Sequence, residues 1–431
     1  IGSVGSGPGS STRVTIRGNT SIAGDNQPLY VINGIPMDNT KFGENSGDEP
    51  NWGDNLSSLN PEDIDEISVL KGATAAALYG TRAKNGAIVI TTKSGRNQQG
   101  IGVELSSHNT FDAPHFIWKP ILQKEYGQGY GGFRPASVED AANHSQNHWG
   151  EPYDGRPTIQ FDGQERPYSY VKDDLLNDFY KTGFSTSNNL SFSGGNDRGS
   201  FRLGLTDMRS EGIISTMGMN RNNISFSGNQ QATENIQITA NVDYISEKVN
   251  NRFIMSGRGG LPLTVLMVNS NMTPESMKPG YDDQYREKGL GTDRNATNPY
   301  FVLNRMRNYS GKDRFITAVS ARWNILDWLF VQGRVGQDFY TLDMENLVPD
   351  GTAFALNGFM DQDRRKFWER NFEGLIGINK ALSSDLSLDV NLGGNMMSQY
   401  RYTTNITGLG FVIPQLHVVN NTSNKNTETQ V

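Results

Sequence analysis

The sequence predicts a transmembrane antiparallel β-barrel segment of about nine strands, with a compact α+β unit over residues 1–98 ahead of it. Polar and apolar residues alternate over long runs after residue 100, which gives each strand one apolar and one wet face. The connections between these runs are short and long by turns. The longest largely apolar run, Leu261 to Val268, falls far below the roughly 18 residues a spanning helix needs, so any membrane crossing here is made by strands.

The first unit has short apolar runs (PLYVINGIP, ISVLKG, GAIVITTK) set between turn residues. Asn60-Pro61-Glu62-Asp63 joins a cap residue, proline at the first helical position and acids at the positive end of the helix dipole, so a short helical turn is expected. Ala73 to Tyr79 predicts a second short helix stopped by Gly80, and Gly86 to Lys93 a strand.

From 99 to 431 strands are expected near 101–113, 184–194, 200–211, 221–230, 236–248, 313–325, 328–342, 367–381 and 386–402. Ile236, Ile238, Ala240, Val242 and Tyr244 share one face, and Gln237, Thr239, Asn241 and Asp243 the other. Connections after the even-numbered strands are a few residues (GGNDR, QATEN, LD, LSSD), and those after strands one, three, five and seven much longer. A soluble sandwich or solenoid explains alternation but has no reason to sort its loops by parity. A membrane barrel does, with short turns on one side and long loops on the other. The loops 114–183 and 249–312 are too long for ordinary connections and are expected to be functional. Aromatics near strand ends, among them Phe111, Phe184, Trp323, Trp328 and Trp368, suit interfacial girdles as well as ordinary strand packing.

Composition narrows the function. With 39 Lys plus Arg against 46 Asp plus Glu, a net charge of −7 argues against nucleic acid as a partner. The absence of cysteine excludes disulfides, thiolate zinc and a cysteine nucleophile. No G-x-S-x-G, Walker or dinucleotide motif stands in a strand-turn-helix context, so an enzyme is not expected, and no cofactor. No signal peptide is legible at Ile1.

The segments TRVTIRGNTSI, PLYVINGIP and LNPEDIDEISVLKGATAAALYGTRAKNGAIVITTKSG resemble the plug domain of TonB-dependent outer-membrane transporters, in the variant of the SusC/RagA family. DFYKTGFSTSNNLSFSGGNDRGSFRLGL, followed by SEGII, is similar to that family's first barrel strands. The resemblance implies a plug in the lumen of a barrel of about 22 strands, which nine cannot close, so a piece of a larger transporter is expected. It also implies active import of an oligosaccharide or oligopeptide across the outer membrane of a Gram-negative, Bacteroidetes-like bacterium. TonB with its inner-membrane energising complex and a SusD-like lipoprotein lid are the implied partners, and the lipid bilayer the surroundings. Where the family usually carries Asp, this chain has Asn33 and Gly72, and the upstream plug start and TonB box are missing. A siderophore or cobalamin receptor is the alternative on the same fold. A secreted β-rich glycan-binding protein or glycan-active enzyme is the alternative of another class, and the enzyme would need two convergent carboxylates.

Several residues are candidates for binding or structure. In the segment 37–58, Trp52 offers a ring face and an N–H, and Asn51, Asp54 and Asn55 offer polar contacts to sugars or peptide backbone, if that loop faces incoming substrate. A tryptophan packed on its own loop is the structural alternative. Tyr126 and Tyr130, with Phe133, make a similar case in the first long loop. Arg17, Gly18, Asn33, Gly34, Gly72, Gly80, Arg82 and Gly86 fall in the plug motif, where a structural role is expected, with Arg17 and Arg82 pairing with carboxylates of plug or wall. His144 and His148 have helical spacing but no third metal ligand, and the pairs Asp282/Asp283 and Asp361/Asp363 lack a calcium-loop spacing, so no metal is expected.

Overall fold

The structure is a computed structural model of residues 1–431. It describes all residues except 1, 4–6, 17, 19–25, 44–48, 96–99, 118, 255–256, 258, 291–296 and 384–385. The expected boundary at residue 98 lies outside the described residues.

The N-terminal unit begins with a short antiparallel pair, β1 (Gly2–Ser3) and β2 (Thr12–Arg13). Its sheet comprises β3 (Leu29–Ile32), β4 (Ile35–Met37), β5 (Ile64–Leu70) and β6 (Ala87–Thr92) in the order β4-β3-β6-β5, with β3 and β6 parallel. The residues between β3 and β4 are Asn33 and Gly34, at φ 50° and 84°, the left-handed pair that a two-residue hairpin turn requires. A 3₁₀ turn at Pro61–Asp63 is capped by the Asn60 side chain, which accepts from the Glu62 amide at 3.2 Å. Helix α1 (Ala73–Tyr79) ends at Gly80, whose amide donates to the Ala76 carbonyl.

The remainder is built on one ten-stranded antiparallel sheet in sequential order. It starts with β7 (Ile101–Asp112), and the first long connection carries α2 (Val138–Asn143), the hairpin β8 (Pro157–Ile159) and β9 (Glu165–Pro167), and α3 (Lys172–Phe179). Strands β10 (Gly183–Asn196), β11 (Gly199–Glu211), β12 (Gly218–Gln231) and β13 (Ile236–Asn250) follow. The second long connection holds α4 (Leu261–Met267), α5 (Pro274–Met277) and α6 (Pro299–Arg305). The sheet ends with β14 (Arg307–Leu326), β15 (Leu329–Val348), β16 (Phe359–Ala381), β17 (Ser387–Phe411) and β18 (Thr422–Gln430).

Two expectations are corrected. The sheet has ten strands rather than about nine: β18, TSNKNTETQ, carries no apolar residue, so it shows no alternation, and it is held through backbone pairing to β17. The third connection, 212–217, is not much longer than the even-numbered turns, because β11 and β12 pair from Gly199↔Gln230 out to Glu211↔Gly218.

The sheet has the reverse of a soluble protein's polarity. Its outer face exposes Leu205, Ile224, Phe226, Ile238, Val319 and Val335. The face toward the N-terminal unit buries Arg202, Arg221, Glu247, Lys312, Arg314, Asp338 and Glu369. Apolar residues outside and charges inside are what a lipid-facing barrel wall requires. The N-terminal unit lies on the polar face, where Tyr30, Ile32, Met37, Ile88 and Ile90 pack with Ile245 and Ile316 of the wall. Gly336 of β15 makes this approach possible, since a Cβ there would sit 2.3 Å from Ile35 Cδ1. The two long connections share a separate core that joins Leu175, Leu176 and Phe179 of α3 to Leu261 and Val265 of α4. They therefore form a folded layer rather than solvated loops.

Candidate functional site

The seam between the N-terminal unit and the wall is a chain of charged contacts. Asp63, just before β5, meets Arg202 of β11 at 2.7 Å, both buried. Arg82, just after α1, donates to both carboxylate oxygens of buried Glu369 at 2.9 and 3.2 Å. Lys312 donates to the Asp54 carbonyl at 2.9 Å, and Arg314 to the Asn55 carbonyl at 2.5 Å. The Asp38 amide donates to Asp338, and Tyr340 donates to the Asp38 carboxylate. Contacts of this kind are directional, and water can replace them if the unit moves in a polar lumen. Glu247, Lys312, Arg314, Asp338 and Glu369 were not singled out from sequence. Their signal is there in principle, as charges at alternate positions on the wet side of long strands.

The segment expected to face substrate is largely tied to its surroundings. Asn51 accepts from the amides of Ser11 and Gly53, and Asp54 accepts from the Thr12 amide and hydroxyl and the Ser57 amide. Asn55 is wholly buried and donates to Asp38 at 2.9 Å. Trp52 is half-buried, with its ring packed on the cluster of Phe42, Tyr340, Leu342, Met344 and Phe367. The polar trio thus ties the loop to its surroundings, while Trp52 keeps part of its surface exposed.

Among the motif residues, Arg17 lies outside the described residues. Asn33 accepts from the Thr92 amide and donates to its hydroxyl, which joins the β3–β4 turn to β6. The Gly34 carbonyl accepts from Arg334 of the wall at 3.4 Å. Gly18, Gly72 and Gly80 have φ of 85°, 53° and 67°. At Gly86, φ 92°, a Cβ would lie 2.9 Å from the Leu70 carbonyl oxygen, so close packing of β5 on β6 requires glycine.

In the first long connection, Tyr126 packs its ring on Trp149 at 5.6 Å, and Tyr130 stacks on His144 at 6.0 Å. His144 pairs with Asp140 at 3.3 Å, whereas His148 reaches the Met267 carbonyl at 3.1 Å, so the two imidazoles turn to different partners. Lys172 of α3, buried with no carboxylate partner among the described residues, donates to the carbonyls of Val265, Leu266 and Val268 at the end of α4. His148 and Lys172 therefore clasp one connection to the other. Among the described residues no group of three His, Cys, Asp or Glu side chains is placed to hold a metal.

Above the segment at Glu49 and Pro50 lies a cavity of about 820 Å³, bounded by α4 and the ends of β14, β15 and β16. It opens between the N-terminal unit, the loop layer and the wall.

Residues 1–87 match the family model described as TonB-dependent Receptor Plug Domain. The chain is 27% identical over 286 residues to TonB-dependent receptor SusC of Bacteroides thetaiotaomicron, which spans 65% of this chain and 24% of that protein. A TonB-dependent receptor of Formosa agariphila is 31% identical over 150 residues, 33% of this chain and 14% of the relative. Among solved structures, the RagAB peptide transporter superposes with a TM-score of 0.69 at 16% identity, covering 99% of this chain and 48% of that one. The chain thus spans about a quarter of the curated relative SusC and under half of the solved chain.

Proposed function

Given that this chain is a TonB-dependent receptor segment of the SusC/RagA type, with a plug domain and part of the barrel, we propose that the protein imports a large nutrient across the outer membrane. The observation that carries this reading is the plug lying on a wall that is charged inside and apolar outside, held there by bonds such as Arg82–Glu369 and Asp63–Arg202. Such a plug blocks the lumen at rest and leaves it only when work is done on it. The nutrient is an oligosaccharide or oligopeptide, the energy comes through TonB from the inner-membrane complex, and a SusD-like lipoprotein covers the loop layer. The relatives are transporters or receptors rather than enzymes.

In this reading the chain divides near residue 98 into plug and barrel, and the segments 114–183 and 249–312 are extracellular. Substrate meets the plug at Trp52, with Asn51, Asp54 and Asn55 holding that loop in shape, and meets the loop layer at Tyr126 and Tyr130. The test is uptake of labelled oligosaccharide and oligopeptide pools by cells with and without TonB. Surface binding is expected to survive the loss of TonB while accumulation stops. Accumulation that continues at the same rate would make the protein a passive pore.

A further inference from the structure

The outer face of the wall carries unpaired charge at one level. Along β16 the outward residues from Phe372 to Ile378 are apolar or glycine, and a cation closes each end of that run, Arg370 and Lys380. The step from 370 to 380 covers about 33 Å of strand, which at the usual tilt of about 40° is about 25 Å of height, the thickness of an apolar membrane band. Lys380 lies over the Trp328 ring at 5.1 Å and Arg370 over the Trp368 ring at 4.6 Å. A cation on an aromatic ring thus marks each boundary.

The boundary at Arg370 is built further. Tyr244, Phe315, Phe339, Trp368 and Tyr400 stand in register across β13 to β17, with centroids 4.6 Å apart for Tyr244 and Phe315 and 5.9 Å for the stacked Trp368 and Tyr400. Lys366 and Arg370, both exposed, flank this row on either side of Trp368. The Arg370 Nε donates to Gln337 Oε1 at 2.7 Å, so a hydrogen bond and a ring face together fix the guanidinium. Its terminal nitrogens have no acceptor among the described residues. Lys366 pairs in register with Thr341 and Tyr402 and lies 5.9 Å from the Phe339 ring. Neither cation has a carboxylate partner among the described residues, whereas Arg364, two positions before Lys366, meets Asp343 at 2.6 Å.

Two unpaired cations held at the edge of an apolar band need an anionic acceptor that belongs to that level of the membrane. Lipid phosphates lie there, and the guanidinium fork matches a phosphate. β16 is flanked by β15 and β17 with further strands beyond each, so the patch lies within the wall rather than at a sheet edge.

We propose that Lys366 and Arg370, beside the Trp368 and Tyr400 rings, bind the phosphate headgroup of a lipid in the outer leaflet, with its acyl chains along Phe372 and Ile376. The proposal rests on the reading of the protein as an outer-membrane importer, which puts this end of β16 on the extracellular side.

The test titrates the full-length protein, purified in detergent, with lipid A and with the same glycolipid after removal of its phosphates, and counts bound lipid by native mass spectrometry. Lipid A is expected to bind about tenfold more tightly. Lys366→Gln with Arg370→Gln is expected to remove that difference in protein that keeps the folded barrel's heat-dependent gel mobility, while Lys380→Gln, at the other boundary, keeps it. The two lipids are compared on the unaltered protein, so that arm stands even if a variant misfolds. Equal binding of both lipids would overturn phosphate recognition. A difference that survives in the double variant, or that Lys380→Gln also removes, would overturn the site. Displacement of bound lipid A by inorganic phosphate would assign the cations to a free anion and overturn the headgroup. Lipid binding is measured without TonB or nutrient, so its failure leaves the importer standing, and only TonB-independent accumulation in cells would remove that reading.

Discussion

Arg314 and Asp338 form a two-point ion pair across β14 and β15, at 2.8 and 2.7 Å, with both side chains wholly buried. The plug lies on this pair, because Arg314 also donates to the Asn55 carbonyl and Asp338 accepts from the Asp38 amide. Wall and plug therefore share one hydrogen-bond network. Removing one partner strands the other charge in a buried site, which costs about 3–5 kcal/mol, whereas removing both costs much less. Arg314→Leu is expected to loosen the plug, and Arg314→Leu with Asp338→Leu to restore part of the loss. Trypsin cleavage within residues 29–92 of the folded protein reads plug release, and equal cleavage in the single and double variants would count against the shared network.

The bonds from Arg82 to Glu369 and from Asp63 to Arg202 hold the plug at two further places. If the plug must leave the wall for import, a covalent tie at such a contact stops transport without touching the outward site. The sequence contains no cysteine, so a pair introduced by Arg82→Cys and Glu369→Cys reacts alone with a cleavable bismaleimide. Uptake is expected to fall at least tenfold on crosslinking and to return on cleavage, with surface binding constant throughout. Full uptake by crosslinked protein would mean that the plug moves elsewhere or not at all.

Local signals made much of this fold legible. The cap at Asn60, the helix ended by Gly80 and the alternation of Ile236 to Ile245 each need only a few neighbouring residues, and each appears where its chemistry puts it. β18 lacked such a signal, since nine polar or charged residues can pair as an edge strand without patterning. The candidate site was less legible because burial there is long-range. Asp54 and Asn55 read as polar contacts for substrate, yet Lys312 and Arg314, more than 250 positions away, hold their carbonyls against the wall. LPLTVLM read as an apolar run, but its two faces became distinct only when α3 packed on one of them.

The orientation of the strands gives a prediction by position. Ile238 and Leu392 are exposed on the outer face at 41% and 74%, so Ile238, Val242, Leu388 and Leu392 are expected to face lipid, and Gln237, Asn241, Asp389 and Asn391 the lumen. A one-residue slip would put every polar side chain of a strand into hydrocarbon. Single cysteines at these eight positions, treated in intact outer membranes with a charged maleimide, are expected to react at the lumen set alone. Modification of positions 238 and 242 with 237 and 241 spared would reverse the assignment.

The clasp of His148 and Lys172 on α4 predicts a pH response in the wall of the cavity. Burial is the main cause that holds the His148 imidazole below its ordinary 6.5, the nearby Lys172 ammonium adds to this, and the hydrogen bond to the Met267 carbonyl opposes it. When the clasp opens, the imidazole regains its ordinary affinity for a proton, so the open state binds more protons as pH falls below 6.5. The contact is therefore fully stable above 6.5 and weakens as pH falls through the lowered value. Lys172, which burial pushes down to about 7, acts in a separate window. Its folded form loses the proton before the open form does, so its effect on stability falls between pH 7 and the ordinary lysine range. Deuterium exchange of the amides of 261–268, corrected for intrinsic rates, is expected to rise between pH 6.5 and 5. His148→Gln is expected to flatten that rise, because glutamine keeps a donor toward Met267 without a titrating group. A rise of the same size in the variant would show that another group opens α4, and protection unchanged between the two pH values would remove the clasp as a pH-sensitive contact.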